Sequence, residues 1–493
     1  MTETARQPLY TATHPEGLPV GDGWVPVATT APVLFPYAGT LVAHAPVGDA
    51  ALARRAVEEA LAVRDEVGRL PSHARRAALL ATRAALAAER DRLEELLVLE
   101  TGKPLVDCRV EVERSLLTLT TAAEEVARLH GETVPLDLLP SGEGLIGFWT
   151  RRPIGVVVGI TGFNYPLLLG AHKVAPALAA GCPVIVKPAP QTPLATLWLV
   201  SVLREALAAA GGPRAAVQLL TGGVDVGAVL STDRRIGAVS FTGSSAVGHR
   251  IARDAAPTKV LLELGSNAAL VVAEDADLDA AADAVVRGGY YASGQACISV
   301  QRVLVVEAVR GAFLDRLADR MDRVVVGDPR EAATRVSALI DEAATQRVTA
   351  WVGAAVAAGA RLVRGGSVVD GVLAPTVLLD VPAGAEVWDE EVFGPVVTVR
   401  SVASIDDAFA EVNASRYGLH ASIYTASLET AFAAIDRIEA GGVVVNEVPG
   451  FRSDVMPYGG VKDSGTGREG PRFAIEELTV TRMAVIRPAT RKA

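Results

Sequence analysis

Between residues 154 and 263 short apolar runs alternate with longer helical ones, and this alternation constrains the fold more than any other feature of the chain. Runs at 154–160, 183–186, 217–220, 238–242 and 259–263 read as strands, and helical periodicity fills 194–210, 224–231 and 245–254. Short apolar strands joined by helices are buried on both faces, which requires a parallel, doubly wound α/β sheet. Ligands of such a sheet bind beyond the carboxyl ends of its strands.

The flanking sequence adds further layers. Residues 1–46 read as short strands and turns at a domain edge, and 51–67, 72–100 and 105–130 as three helices, the last two separated by Gly102-Lys103-Pro104. Their Arg and Glu residues read mostly as a solvated face. A strand is predicted at 142–150. A second strand–helix series starts near Asn267, with strands at 269–272, 372–379 and 396–402 and helices at 277–286, 311–321 and 342–358. The closing strand, 477–486, has no neighbour in sequence and is expected to pair with another domain or another chain.

A chain of 493 residues exceeds one hydrophobic core, so several domains are expected. The net charge of −10, with no compensating basic stretch, excludes broad binding to nucleic acid or anionic membrane. Three cysteines make no disulfide framework and fit a reducing, cytoplasmic setting. Met1-Thr2-Glu3-Thr4-Ala5 carries no signal pattern, no run approaches a membrane span, and the scattered histidines predict no metal site.

Candidate chemistry gathers at strand ends. Cys297 lies in a small-residue turn, Ala292-Ser293-Gly294-Gln295-Ala296-Cys297, before a β-branched strand. It is either a nucleophile presented by a loop or a small buried hydrophobe. Gly243-Ser244-Ser245-Ala246-Val247-Gly248 follows a strand and opens a helix, where free N–H groups can hold a phosphate, or it is an ordinary turn. Lys187 ends a buried strand and either aims its charge into the crevice or snorkels to the surface. Glu263, alone among apolar residues, is a paired structural ion or a base made stronger by desolvation. Asn164 can donate to a developing oxyanion or serve as a turn residue.

Taken together, these motifs resemble the NAD(P)-dependent aldehyde dehydrogenase superfamily, in family order and over nearly the whole chain. The resemblance implies an α/β fold with a Rossmann-type cofactor domain (1–133 and 152–264), an α/β catalytic domain (265–446) and a small oligomerisation β element (134–151 and 472–487). It implies Cys297 as nucleophile, Glu263 as general base and Asn164 as oxyanion donor. NADP or NAD would be held by Lys187, Gly243, Ser244, Gly248, Glu391 and Phe393, the last two from Glu391-Val392-Phe393-Gly394-Pro395. Relatives pair subunits, so a homodimer or homotetramer is expected. The implied reaction oxidises a small aldehyde to its acid through a thiohemiacetal and a thioester.

Two positions depart from the common pattern. Pro190 stands where many NAD-preferring relatives have a ribose-binding glutamate, so tolerance of a 2′-phosphate, and hence of NADP, is expected. Gly265-Ser266-Asn267 replaces a frequent Gly-Gly-Lys. The Cys297 and Asn446–Asp454 segments resemble the lactaldehyde, phosphonoacetaldehyde and sulfolactaldehyde dehydrogenase branch. There Arg114 and Arg452 would grip an anionic tail, or else form a loop-to-helix salt bridge. Phe163 and Tyr165 would line the mouth and favour a small aldehyde. The competing readings are a CoA-acylating semialdehyde dehydrogenase, a non-redox thiol hydrolase and a silent structural relative.

Overall fold

The computed structural model describes residues 9–12 and 14–488. The leader-free reading of residues 1–5 and the first part of the predicted edge region lie outside them. The described edge is a hairpin, Thr30–Phe35 with Thr40–Pro46. The predicted helices are present but broken. Ala50–Ala62 gives way to Arg64–Arg69 at Val63, and Ser72–Ala88 to Arg90–Thr101 at Glu89, before α1 (Leu105–Glu125). Neither break carries Gly or Pro, so the apolar period runs through both.

β1 (Val156–Ile160) is the pivot of the first sheet. After it comes α2 (Pro166–Ala180), a helix that the sequence pattern does not announce. All its residues are buried, so it has no polar face to generate a period, and Gly170 and Pro176 read as breakers. Then follow β2 (Val184–Lys187), α3 (Leu194–Ala209), β3 (Val217–Leu219), α4 (Val224–Thr232), β4 (Ile236–Thr242), α5 (Ser245–Ala255) and β5 (Lys259–Glu263). The spatial order is β5-β4-β1-β2-β3, all parallel, with Gly465–Thr466 added antiparallel to β5. The chain therefore winds one way from β1 and then the other, which opens a crevice between the carboxyl ends of β1 and β4.

The second sheet has seven strands. Its centre is β6 (Ala269–Val272), β7 (Arg302–Val306) and β8 (Val396–Val402), parallel to one another. Thr376–Leu379 flanks β8 and His420–Tyr424 flanks β6, both parallel. The predicted strand at 372–379 is divided into Val372–Leu373 and Thr376–Leu379, which lie in different sheets. Separate apolar clusters cover the two faces of this second sheet.

A small third sheet joins distant parts of the chain. Thr479–Ile486 pairs antiparallel with Ile146–Pro153, Thr479 opposite Pro153 and Ile486 opposite Ile146, and Glu132–Val134 completes it. The strand expected at 142–150 is thus shifted towards the carboxyl end, its first residues forming a turn at Pro140–Gly142. Among the described residues no helix is long and apolar enough to cross a membrane.

Not all the helical carboxylates lie on a solvated face. Glu100 accepts from Leu194 N (2.9 Å) and Ala195 N (3.0 Å), and Glu111 from Leu167 N (2.9 Å) and Leu168 N (3.2 Å). Each fully buried carboxyl thereby satisfies the open first turn of a neighbouring helix, α3 or α2. Burial pushes Glu100 up to about 8, partly offset by those two donors. Lys103 completes the Glu111 cap as its buried ion partner and also donates to Asn164 O at 2.8 Å.

Candidate active site

The crevice continues into a cavity of about 260 Å³ between the two large sheets. The first sheet contributes from strand carboxyl ends, with Phe163, Asn164 and Tyr165 after β1, Gly243 and Ser244 after β4, and Glu263 at the end of β5. The second contributes from loops that precede its strands, Cys297 ahead of β7 and Glu391 and Phe393 ahead of β8. Arg114 from α1 and Arg452 from the late loop also line the cavity. Lys187, Pro190 and Gly248 do not, and sit farther along the crevice.

The loop carrying Cys297 is held under strain. Ala292 (φ +50°) and Ser293 (φ +57°) occupy the left-handed region that side chains disfavour. Ala292 N donates to Asp107 Oδ2, and Ser337 N donates to Ser293 Oγ, both at 2.9 Å. Ile340 N donates to Gln295 Oε1 at 2.9 Å, while the Gln295 carbonyl accepts from Asn164 Nδ2 at the same distance. One Asn164 amide hydrogen is thus committed and the other is free for a ligand. Among the described residues no protein acceptor takes the Cys297 N–H.

Cys297 is half-buried, whereas Cys108 and Cys182 are buried, and none is in a disulfide. Cys297 Sγ lies 3.1 Å from Tyr458 Oη. Burial pushes the Cys297 thiol up to about 11, with the Tyr458 bond acting in the opposite sense. Glu263 is also buried, and its Oε2 has no hydrogen-bond partner. Burial and then the Glu469 charge raise its carboxyl well above the usual range, against Arg452, Lys173 and Arg468.

Behind these groups lies an ionic cluster. Arg114 grips Asp454 with two bonds of 2.9 Å, and His172 Nε2 meets the same carboxylate at 3.2 Å. Glu469 is held by Lys173 at 2.9 Å, Arg452 at 3.1 Å and His172 Nδ1 at 3.2 Å. Burial opposes ionisation of both acids, but their cationic partners outweigh it and keep them well below the ordinary carboxylate range. Arg114, Lys173 and Arg452 thus face two ionised carboxylates, and burial disfavours a further charge on the neighbouring Glu263. Both arginines form salt bridges and also line the cavity.

Along the crevice, Lys187 is 7 % exposed and its methylenes pass Gly227 of α4. Burial lowers its pKa, and Asp225 in the first turn of α4 opposes that shift. Pro190 is exposed in the turn beyond. Ser244 is the N-cap of α5 and makes no side-chain cap bond, which leaves that first turn open. Gly248 packs against Leu264, so that a Cβ there would strike the side chain. Gly265 is constrained likewise, because a Cβ would come within 2.6 Å of Glu391 Oε2. Glu391 Oε1 accepts from Ser266 N at 3.0 Å, and burial raises this carboxyl to about 7. Asn267 donates to the Trp388 and Asp389 carbonyls at 3.0 and 3.2 Å, which ties the unusual Gly265-Ser266-Asn267 segment to the Glu391 loop. Phe393 meets Phe163 edge-on with centroids 5.6 Å apart.

Sequence reasoning did not find Lys173, His172, Asp454 or Tyr458 as members of this site. Lys173 and His172 fall in the helix that has no period, Asp454 is the last residue of the Asn446–Asp454 segment, and Tyr458 follows in a glycine-rich stretch with no period of its own.

A switch-point crevice with an open helix N-terminus, leading to a cavity with a thiol and a desolvated carboxyl, defines a dinucleotide-dependent α/β oxidoreductase. Residues 24–484 match the aldehyde dehydrogenase family, and the chain belongs to it. It is an NAD(P)-dependent oxidoreductase acting on aldehydes. It is 41% identical over 402 residues to a 3-sulfolactaldehyde dehydrogenase of Priestia aryabhattai, covering 81% of this chain and 83% of that one. The structure is similar to that of aldehyde dehydrogenase 21 of Physcomitrella patens in complex with its reaction product succinate. That likeness has a TM-score of 0.92 and 35% identity, over 96% of this chain and 98% of that one. It is also similar to the glyceraldehyde-3-phosphate dehydrogenase GapN of Methanocaldococcus jannaschii complexed with NADP. There the TM-score is 0.90 and the identity 32%, over 94% of this chain and 100% of that one.

Proposed function

We propose that this chain oxidises a small aldehyde with an anionic tail to its carboxylic acid through a thioester on Cys297. The observation that carries the reading is the convergence of Cys297, Glu263 and Asn164 on one cavity that Arg114 and Arg452 also line.

The crevice residues fit a dinucleotide. The open first turn of α5 suits a pyrophosphate, and Lys187 suits a ribose or its phosphate. The Glu391 carboxylate and the Phe393 ring suit the nicotinamide riboside, and the bare Cα of Gly265 leaves Glu391 its room. When bound, the nicotinamide supplies a hydride acceptor. We read residues 1–133 and 152–264 as the cofactor-binding part and 265–446 as the part carrying the nucleophile.

The chain's own groups then act in sequence. Cys297 sulfur attacks the aldehyde carbon, and the carbonyl electron pair moves to oxygen, where the second Asn164 amide hydrogen and the Cys297 N–H stabilise it. Once the hydride has left, a thioester remains on sulfur. Glu263 takes a proton from water as the water oxygen attacks that carbon, the C–S bond breaks, and the acid departs.

Arg114, the more exposed of the two arginines, is read as the grip on the substrate tail, with Arg452 fixed behind it. The P. aryabhattai relative is named for a sulfonated aldehyde and the P. patens structure holds a dicarboxylate, which supports an anionic substrate. Initial rates across a panel of carboxylated, sulfonated, phosphorylated and neutral aldehydes test this, each with NAD and with NADP. We expect kcat/KM to favour the anionic members. Arg114→Gln should lower those values by about 10- to 100-fold, roughly one or two charge-assisted hydrogen bonds, and spare the neutral ones. Parallel losses for neutral and anionic aldehydes would reduce Arg114 to scaffold. Pro190 leaves no carboxylate beside Lys187 on its own turn, so turnover with NADP is expected; its absence alongside robust NAD turnover would overturn that assignment.

We also infer a homo-oligomer, a dimer or a tetramer, and a cytoplasmic setting, the latter supported by three free thiols. The edge strand Thr479–Ile486 exposes Val480, Met483, Val485 and Ile486, and the Leu428–Arg437 helix exposes Leu428, Phe432 and Ile435. Two such apolar faces are costly in water and suit burial by a second copy. Light scattering in solution should return the mass of two or four chains. The mass of one chain would exclude this pairing.

A further inference from the structure

Tyr458 is assigned no part in the chemistry set out above, yet it is the side chain that touches the sulfur. Its Oη lies 3.1 Å from Cys297 Sγ, and the residue is 2 % exposed. The phenol is held from several sides. Tyr458 N donates to Glu469 O at 3.1 Å, and Glu469 N returns a bond to Tyr458 O. The Arg452 guanidinium carbon lies 3.7 Å from the ring centroid on one face, and His420 meets the ring at 5.0 Å between centroids. Ile298 and Leu419 close the apolar side. A donor fixed in this way needs no reorganisation when charge develops beside it.

We propose that Tyr458 is a catalytic residue whose hydroxyl donates a hydrogen bond to Cys297 Sγ as the thiol ionises, stabilising the thiolate before it attacks the aldehyde. This rests on the reading of Cys297 as the nucleophile. The thiol proton leaves to water or to a carboxylate, and the phenol keeps its own. Burial first, and then the neighbouring thiol, hold the Tyr458 hydroxyl well above its ordinary pKa, so the proton between the two atoms stays on oxygen when sulfur is charged. Around the sulfur the carboxyls of Glu391 and Glu263 oppose ionisation, as burial does, and Arg452 favours it. Tyr291 faces the same sulfur and is itself raised by burial. Among the described residues Tyr458 is the only side chain that hydrogen-bonds the thiol.

The test is the pH dependence of Cys297 alkylation by iodoacetamide in the full-length protein without cofactor, read by mass spectrometry at that cysteine. The thiolate attacks the methylene carbon, a C–S bond forms, and iodide leaves with the C–I electron pair. Tyr458→Phe keeps the ring and its packing and removes only the donor. Its alkylation midpoint should rise by about one to two pH units, so that the rate at a fixed lower pH falls about 10- to 100-fold. In a second variant 3-fluorotyrosine, a more acidic phenol and stronger donor, stands at position 458, and there the midpoint should fall. Coincident titrations of the wild type and Tyr458→Phe would overturn the proposal, as would an unchanged or raised midpoint in the fluorinated protein, which alone decides if the Phe variant does not fold. The titration needs neither substrate nor cofactor. Failure of the aldehyde panel would therefore count against the proposed substrate and leave this result standing.

Discussion

Cys297→Ala should lower kcat/KM for every aldehyde by at least about four orders of magnitude, because the covalent route has no second nucleophile to fall back on. Cys108 and Cys182 are buried outside the cavity, and burial raises both thiols, Cys182 to about 11. No reaction of theirs can substitute. The substitution removes one sulfur atom from a half-buried side chain, so the loss of packing is small and the fold should persist. Cofactor affinity, measured by fluorescence titration, should change by less than about threefold, since no crevice group touches the sulfur in the resting site. Residual activity within tenfold of wild type would remove the thiol from the mechanism and reopen the hydrolase and structural-relative readings.

The sequence shows the strands at the site more readily than the groups that tune it. β1 to β5 are legible because parallel strands buried on both faces are continuous apolar runs between helices, and their ends carry Lys187, Glu263 and the Gly243–Gly248 turn. α2 is not, because a wholly buried helix has no period, and with it His172 and Lys173 are lost. Glu100 ends the apolar Leu96–Leu99 run and Glu111 stands among Arg109, Glu113 and Arg114, and neither setting points to a partner. Their targets, the first turns of α3 and α2, lie 94 and 56 residues away. Tyr458 is 161 residues from Cys297, and only the closing of the late loop over the second sheet brings phenol to thiol. Pairings across such distances leave no spacing in the sequence to read. Arg114 and Arg452 are legible as candidate cations, whereas their shared acid, Asp454, is one polar residue among several in the Asn446–Asp454 segment.

Glu263→Gln should separate the two halves of the reaction. Steady-state turnover is expected to fall by about 10²- to 10⁴-fold, the usual loss on removing a general base. The first turnover does not need water to be activated, so rapid mixing should show a burst of reduced cofactor approaching one equivalent per chain. Intact mass spectrometry should then find the acyl group on Cys297. The amide has the carboxyl's shape, and Glu263 Oε2 has no hydrogen bond to lose. The charged carboxylate is penalised by burial and by Glu469, so the neutral amide should fold at least as stably. The pH profile follows the same logic. Glu263 can take a proton only after losing its own, and its pKa is raised, so acyl release in the wild type should quicken as pH rises beyond the ordinary carboxylate range. That rise should vanish in the Gln variant. A variant in which burst and steady state fall together would move Glu263 to the activation of Cys297, and CoA as acyl acceptor would again need testing. A burst that survives, with turnover restored by small thiols that take the acyl group as a new thioester and free the Cys297 thiol, would place Glu263 on the water side of the thioester.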